Sequence, residues 1–351
     1  MIAYYLPQFH PIPENDAWWG AGFTEWTNVA KAKPLYASHQ QPRIPGELGY
    51  YDLRDPGVRE AQAALARRAG IEGFCYWHYW FGGGRRLLER PFQEVLESGK
   101  PDFPFCLAWA NQSWTGVWHG APGRVLMEQT YPGPDDEAAH FERVLAAFRD
   151  ERYIRVDGKP VFIVYSPTEL PDAGAFIAHW RRLAADAGLP GLHLIGMSND
   201  MGSPSLWHFD GVTNFGPGDY LYSLRKQTLA RRVGRRLRRA LAGPLRFEFR
   251  DVVQQAFEDS PRDGRFAPCV LAGWDNTPRS GRRGVVFDGF TPELLRQYMR
   301  KAVARTDAYP PQRRVIFLKA WNEWAEGNYL EPDAAFGRAL LDAVAAEVVE
   351  R

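Results

Sequence analysis

Apolar runs recur along the chain, each closed by a polar, aromatic-rich tail and followed by a segment of helical spacing. In order they are IAYYLP from Ile2, IEGFCYWHYW from Ile71, FPFCLAWAN from Phe103, PVFIVYS from Pro160, LHLIGMS from Leu192, a weaker GVTNFG from Gly211, APCVLAGWDN from Ala267 and RVIFLKAWNEW from Arg314. Apolar runs without alternation are the pattern of strands buried on both faces. The segments between them carry helix start signals. DPGVREAQAALARRAG offers Asp55 as N-cap, Pro56 at the first helical position and Gly70 as a stop, and TPELLRQYMRKAVART opens likewise on Thr291 and Pro292. DDEAAHFERVLAAF, DAGAFIAHWRRLAADAG and DAAFGRALLDAVAAEVV are amphipathic. Eight strands alternating with helices predict an α/β fold, a single (β/α)8 TIM barrel over residues 1–351. A doubly wound open sheet is the competing topology, but no glycine-rich phosphate loop follows the first strand.

Two insertions interrupt the alternation. Residues 10–52 form a long Trp- and Pro-rich loop after the first strand, on the face where a barrel places its active site. Residues 221–265 follow the sixth strand and begin with LYSLRKQTLARRVGRRLRRALAGPLRF, which contains no acidic residue. Leu224, Leu229, Val233 and Leu237 recur there near helical spacing, so a basic helical insertion is predicted. The run from Arg225 to Arg239 reads as a solvated surface helix or, more sharply, as an arm that touches an anionic membrane or an anionic glycan.

Overall charge hides that arm. The formal net charge is +1, which gives no electrostatic footprint for nucleic acid. The three cysteines, Cys75, Cys106 and Cys269, each fall inside an apolar run and are expected as buried free thiols rather than a disulfide framework. The opening MIAYYLPQFH lacks a basic n-region and a long apolar h-region, and no run is long enough to span a bilayer. The expectation is a cytoplasmic protein, peripheral at the inner membrane if the arm binds lipid.

The chemistry gathers where the strands end: WHYW, WANQSW, NFGPGDY, WDNTPR and WNEWAEG. Tryptophan faces stack on the C–H faces of sugar rings, while neighbouring amides and carboxylates take the hydroxyls. In AWNEWAEGNYLEPD, Glu323 and Glu326 stand three apart beside Trp321, Asn322 and Trp324, which are read as substrate contacts. Paired carboxylates at an aromatic barrel mouth are the equipment for glycosidic cleavage, one protonating the leaving oxygen while the other assists attack at the anomeric carbon. An E-x-x-E pair alone would be an ordinary solvated helix start. Trp77, His78, Trp109, Asn111, Asn214, Trp274 and Asp275 are candidate substrate contacts at other strand ends, with loop capping as the plain alternative for the amides and Asp275. Tyr5 and Tyr165 are weaker candidates that could be core tyrosines. On the long loop, Trp18, Trp19, Trp26 and Asn28 read as a sugar-stacking lid or a hydrophobic plug, and Glu25 as a buried ion-pair partner. No second histidine stands at ligand spacing from His78, so neither a metal nor any other cofactor is expected.

AYYLPQFHPIPENDAWWGAGFTEWTNVAKAKPLY, QPRIPGELGYYDLRDPGVREAQ, GFCYWHYWF, PDFPFCLAWANQSWT, RYIRVDGKPVFIVY and AWNEWAEGNYLEPD together resemble the WbsX-like family. That family is associated with bacterial polysaccharide and lipopolysaccharide gene clusters and is related to endo-α-mannosidase and endo-α-mannanase glycosidases. The resemblance runs from Met1 to about Phe336 and thins between Leu221 and Arg265. It implies a metal-independent barrel that acts with retention. NEWAEG matches the relatives' Asn-Glu-Trp-x-Glu-Gly pattern. By that match Glu323 resembles the base that deprotonates the substrate's 2-hydroxyl, which attacks the anomeric carbon to give a 1,2-anhydro sugar. Glu326 resembles the acid that protonates the leaving oxygen and then acts as base when water opens the ring. The relatives carry histidine where this chain has Ala325, which leaves the sugar open. The implied function is a retaining α-glycosidase acting on a bacterial glycan. The alternatives are a glycosyltransferase of polysaccharide assembly and a non-catalytic glycan-binding barrel, although no nucleotide-sugar fold or Asp-x-Asp motif supports the former.

Overall fold

The computed structural model describes residues 1–116, 121–216, 220–221 and 243–348. Nine parallel strand segments form eight staves of a barrel: β1 (Ile2–Tyr5), β2 (Gly73–His78), β3 (Phe105–Trp109), β4 (Lys159–Val164), β5 (His193–Met197), β6 (Gly211–Thr213), β7 (Phe266–Ala267), β8 (Cys269–Leu271) and β9 (Phe317–Lys319). The seventh stave is the pair β7 and β8, divided at Pro268, which has no N–H to give a neighbour. Its first half pairs with β6 and its second with β9, and β9 pairs with β1 to complete the ring. The (β/α)8 barrel expected from the apolar runs is therefore the fold.

The helices form where the start signals stand. They are α1 (Pro13–Trp19), α2 (Glu25–Lys31), α3 (Pro56–Arg68), α4 (Arg90–Ser98), α5 (Pro134–Arg149), α6 (Ala173–Asp186), α7 (Phe249–Gln255), α8 (Thr277–Ser280), α9 (Pro292–Thr306) and α10 (Ala339–Val348). Asp55 accepts from the Gly57 N–H at 2.8 Å and Thr291 from the Leu294 N–H at 3.2 Å, each capping its helix. Side chains alternate across each stave. Tyr4 and the three free thiols of Cys75, Cys106 and Cys269 fill the barrel axis, with burial the main cause that raises the Tyr4 and Cys75 ionisations. Phe74, Phe105 and Phe162 point outward against Phe103, Phe92 and Trp180.

The long loop after β1 is not a loose cover, since it contains α1 and α2 and is tied to the barrel at several points. Trp26 donates to the Tyr51 carbonyl at 2.8 Å and packs on Phe9 and Trp324. His39 Nε2 and Gln41 Nε2 meet Asp275 Oδ2 at 2.8 and 2.7 Å. A further hairpin, Trp114–Gly116 with Ala121–Met127, rises beside the mouth after β3. In the second insertion, Leu245–Glu248 pairs in parallel with Val285–Asp288 and leads into α7. The arginine-rich run 225–239 lies outside the described residues. Among the described residues no helix is long and apolar enough to cross a membrane.

Candidate active site

The eighth stave ends at Lys319, and the chain then turns back on itself. Asn322–Glu323 pairs antiparallel with Asn328–Tyr329 around a 3-10 turn at Trp324–Glu326, so both carboxylates project to one side. Gly327 makes this possible. Its φ is +58°, and a Cβ there would lie 2.8 Å from the Asp275 Cβ and 2.9 Å from its nitrogen. The close approach lets the Asp275 N–H donate to the Glu326 carbonyl at 2.6 Å.

Glu323 accepts from Lys319 Nζ at 2.9 and 3.1 Å and from Trp77 Nε1 at 2.8 Å. Burial alone would raise its pKa, but the Lys319 ammonium, the hydrogen bond with Glu326 and the Arg279 guanidinium together outweigh that, and Glu323 is held well below the ordinary carboxylate range. Glu326 goes the other way. Burial and the neighbouring Glu323 charge raise it, and Arg279 pulls against them without prevailing. Arg279, on α8, donates to Glu326 Oε1 and to Glu25 Oε1, both at 2.7 Å. Glu25 also accepts from the Ala325 N–H at 3.0 Å. With Glu326 protonated, the formal charges of Glu25, Glu323, Arg279 and Lys319 cancel; ionising Glu326 would leave a net negative charge in a buried cluster. The two carboxyls are within hydrogen-bonding reach of each other, which fixes one as charged and the other as the proton carrier.

The pair opens into a cleft of about 240 Å3. Trp77, Tyr79, Tyr165 and Phe215 line it from the barrel, and Trp19, Phe23, Glu25 and Asn28 line it from the long loop. A larger hollow of about 350 Å3 lies over the ends of β5 to β7, lined by Asn199, Asp200 and α7 residues, but it contains neither glutamate. The site is the smaller cavity.

Of the residues expected to meet substrate, the cleft gathers Trp77 and Tyr165 from the barrel and Trp19 and Asn28 from the long loop beside Glu323 and Glu326. The others turn elsewhere. Tyr5 donates to Gln62 Oε1 at 2.6 Å behind the barrel wall. His78 is a neighbour of Trp77 on the opposite strand face, 2.9 Å from His140 Nε2, and burial lowers its pKa to about 3. Trp109 packs on Phe176 and His140, with its indole N–H on the Trp80 carbonyl at 2.8 Å. Trp274 is buried outside the cleft lining, and Asp275 is consumed by His39, Gln41 and Thr277. Trp26 and Trp324 pack together as part of the loop's base, and Trp321 is buried against Phe74.

The three asparagines share one structural role. Asn111 takes the Ser166 N–H and gives to its carbonyl, both at 2.8 Å. Asn214 does the same to Cys269 at 2.8 and 3.3 Å, and Asn322 to Leu6 at 2.7 and 3.1 Å. Each side-chain amide substitutes for a strand partner and clamps one stave's tail to the next.

Sequence reasoning missed Lys319, Arg279 and Glu331. A lysine closing the apolar RVIFLK run was the available signal, since Lys319 is 2% exposed. Glu331 accepts from Trp324 at 2.6 Å, Gln62 at 2.7 Å and Tyr51 at 2.9 Å, and burial pushes it up to about 7. It braces Trp324 from behind and does not line the cleft.

A parallel (β/α)8 barrel with an acid pair at the C-terminal ends of its staves carries these carboxylates on the face where barrels of this fold build their active sites. Solved structures agree on the fold: a glycoside hydrolase-like protein (TM-score 0.58, 14% identity, 93% of this chain and 99% of that one) and the GH99 endo-α-mannosidase from Bacteroides thetaiotaomicron (TM-score 0.58, 16% identity, 99% and 96%). The family profile described as Glycosyltransferase WbsX matches residues 1–344, and the chain belongs to that family. Its curated relatives include the uncharacterized WxcX proteins of Xanthomonas campestris pv. campestris strains B100 and ATCC 33913, each 39% identical over 345 residues. The match takes in 98% of this chain but 48% of the relatives, so the chain spans about half their length.

Proposed function

We propose that this barrel is a retaining, metal-independent α-glycosidase acting on a bacterial polysaccharide or lipopolysaccharide-type glycan. The observation that carries the reading is two carboxyls in different settings at the floor of one aromatic cleft. Glu323 is bound by Lys319 and Trp77 and Glu326 by Arg279, with surroundings that favour the charged form of the first and the protonated form of the second. A carboxylic acid raised by burial can protonate a leaving oxygen near neutral pH, and a carboxylate held ionised can accept a proton or attack. Retention follows from the proposed route, because attack by the 2-hydroxyl and then by water each invert the anomeric carbon.

In the first step Glu323 takes the proton from the sugar's 2-hydroxyl as that oxygen bonds to the anomeric carbon. The bond to the leaving oxygen breaks, and Glu326 gives that oxygen its proton. In the second step Glu326 removes a proton from water, whose oxygen attacks the anomeric carbon, and the opened 2-oxygen recovers the proton held on Glu323. Trp77 serves two purposes, donating to Glu323 and presenting an aromatic wall to the cleft.

The test is digestion of a panel of bacterial polysaccharides and aryl α-glycosides, with NMR of the first-formed anomer. Retained α-product supports the assignment, and β-product rules out retention. A 2-deoxy substrate should be inert. A 2-fluoro substrate that leaves a covalent ester on Glu323 would make the carboxylate itself the nucleophile. The family description raises transfer as the second reading, in which a sugar hydroxyl replaces water in the second step. Turnover of nucleotide sugars without glycan cleavage would favour a true glycosyltransferase. Among the described residues, the cations lining the cleft are Lys319 and Arg279, and each is committed to carboxylates, which weighs against diphosphate binding.

A further inference from the structure

Glu25 opens α2 of the long loop, is 1% exposed, and reaches the turn that carries the acid. Its Oε1 accepts from Arg279 Nη2 at 2.7 Å and from the Ala325 N–H at 3.0 Å. Arg279 Nη1 meets Glu326 Oε1, also at 2.7 Å. One guanidinium is therefore shared by two carboxyls, and the residue just before the acid is tied by its backbone to the same Glu25 oxygen. Such a bridge could be a plain fastening of loop to barrel. The arrangement of charge argues for more. The guanidinium that steadies Glu326 also weakens its hold on a proton, and a carboxylate on the other arm of the guanidinium offsets that pull.

We infer that Glu25 is a positioning residue that acts on Glu326 through Arg279, seating the guanidinium against the acid while offsetting its charge. Burial lowers the Arg279 ionisation, and Glu25 leads Glu326 among the carboxyls that raise it. The remaining charged and titratable groups facing Glu326 are otherwise engaged. Lys319 is bound to Glu323 at 2.9 Å, and the Asp275 carboxylate turns to His39, Gln41 and Thr277. Burial raises the phenols of Tyr79 and Tyr165, which follow β2 and β4, above their ordinary range. Without the Glu25 charge, the pull of Arg279 on Glu326 would lose its counterweight and the acid would ionise at lower pH. The inference rests on the glycosidase reading and adds to it a residue of the long loop that sets when the acid can act.

The experiment follows the Glu326 carboxyl itself, by 13C NMR of protein labelled at the glutamate δ-carbon, its resonance identified by its loss in Glu326→Gln. Glu25→Gln keeps the side-chain shape and removes the charge, and the Glu326 midpoint should fall by about one pH unit or more. Glu25→Asp keeps the charge on a shorter stem and should lower the midpoint by less than about half as much. With Arg279→Met already in place, adding Glu25→Gln should likewise have less than about half its effect in the parent, because the path through the guanidinium is gone. The basic limb of the pH–rate profile, on whichever substrate the panel digestion identifies, should fall with the midpoint. If Glu25→Gln fails to fold, Glu25→Met carries the titration. A midpoint unmoved by loss of the Glu25 charge, or moved as far with Arg279 already replaced, overturns the inference alone and leaves the bridge a fastening. Failure of the parent to cleave any glycan overturns the glycosidase reading, and the role given to Glu25 falls with it whatever the titration shows.

Discussion

Replacing Lys319 with methionine removes the charge that keeps Glu323 ionised while keeping most of the side-chain volume. The ammonium makes two hydrogen bonds to Glu323, at 2.9 and 3.1 Å, and sits 5.3 Å from the Trp77 ring centroid and 4.7 Å from that of Phe215. Both partners are buried, at 2% and 5% exposed, so solvent screens the pair little. Breaking a buried pair by removing one partner costs ~3–5 kcal/mol. At ~1.36 kcal/mol per pKa unit this corresponds to a rise of roughly 2–4 units for Glu323. Two readouts follow. The acid limb of the pH–rate profile should move upward by that amount, because Glu323 must be ionised to act. Denaturant unfolding at neutral pH should show a deficit of ~3–5 kcal/mol against the parent. The sign of the pH dependence is fixed. Glu323 is depressed in the folded parent, so its contribution is present above the unfolded value of about 4.3 and is lost as pH falls toward the folded value. The deficit of the variant must therefore shrink as pH is lowered. An unmoved acid limb with a stability change under ~1 kcal/mol would refute the claim that Lys319 sets the charge on Glu323.

Arg279→Met should act in the same direction on the other carboxyl: Arg279 is the main influence lowering Glu326, so the basic limb should shift to higher pH, and a basic limb that shifts down would contradict the assignment of Glu326 as the acid. In the parent, whose Glu326 is raised, that group's contribution to stability falls as pH rises from the unfolded value through the folded one, which urea titrations across neutral pH can follow. Asn111→Ala should cost ~2–4 kcal/mol by orphaning the Ser166 N–H and carbonyl yet leave glycan affinity unchanged; a selective loss of affinity would restore it as a substrate contact. Replacing Arg231, Arg232, Arg235 and Arg236 with Gln should weaken sedimentation with anionic liposomes, most at low salt, without slowing hydrolysis of a small soluble substrate. Absence of liposome binding by the parent would make the run an ordinary surface segment.

The staves were legible because both faces of a parallel barrel strand are buried, which writes an unbroken apolar run. The acid pair was legible because its spacing coincided with a stave end and with two indoles. What the runs could not convey was direction. Trp77 and His78 are consecutive, and the pleat sends one into the cleft and the other to His140. Trp109 ends its stave as Trp77 nearly does, yet falls on the outward phase and packs on α6. The asparagines looked like hydroxyl binders because a cross-stave clamp and a sugar contact demand the same amide. Arg279 and Glu25 are 254 positions apart and meet only when the long loop closes on the barrel mouth, a pairing no local pattern encodes.

The central claim is that Glu326 is the acid, and the most direct measurement is the leaving-group dependence of Glu326→Gln. On a natural glycosidic linkage the amide cannot protonate the departing oxygen, and turnover should collapse by roughly 10²–10⁴-fold. On an aryl glycoside with an acidic phenol, which leaves unprotonated, the first step should recover, observed as a phenolate burst ahead of slow opening of the intermediate. Parent-like turnover on natural linkages, or an equal loss on both substrates with no burst, would contradict the account.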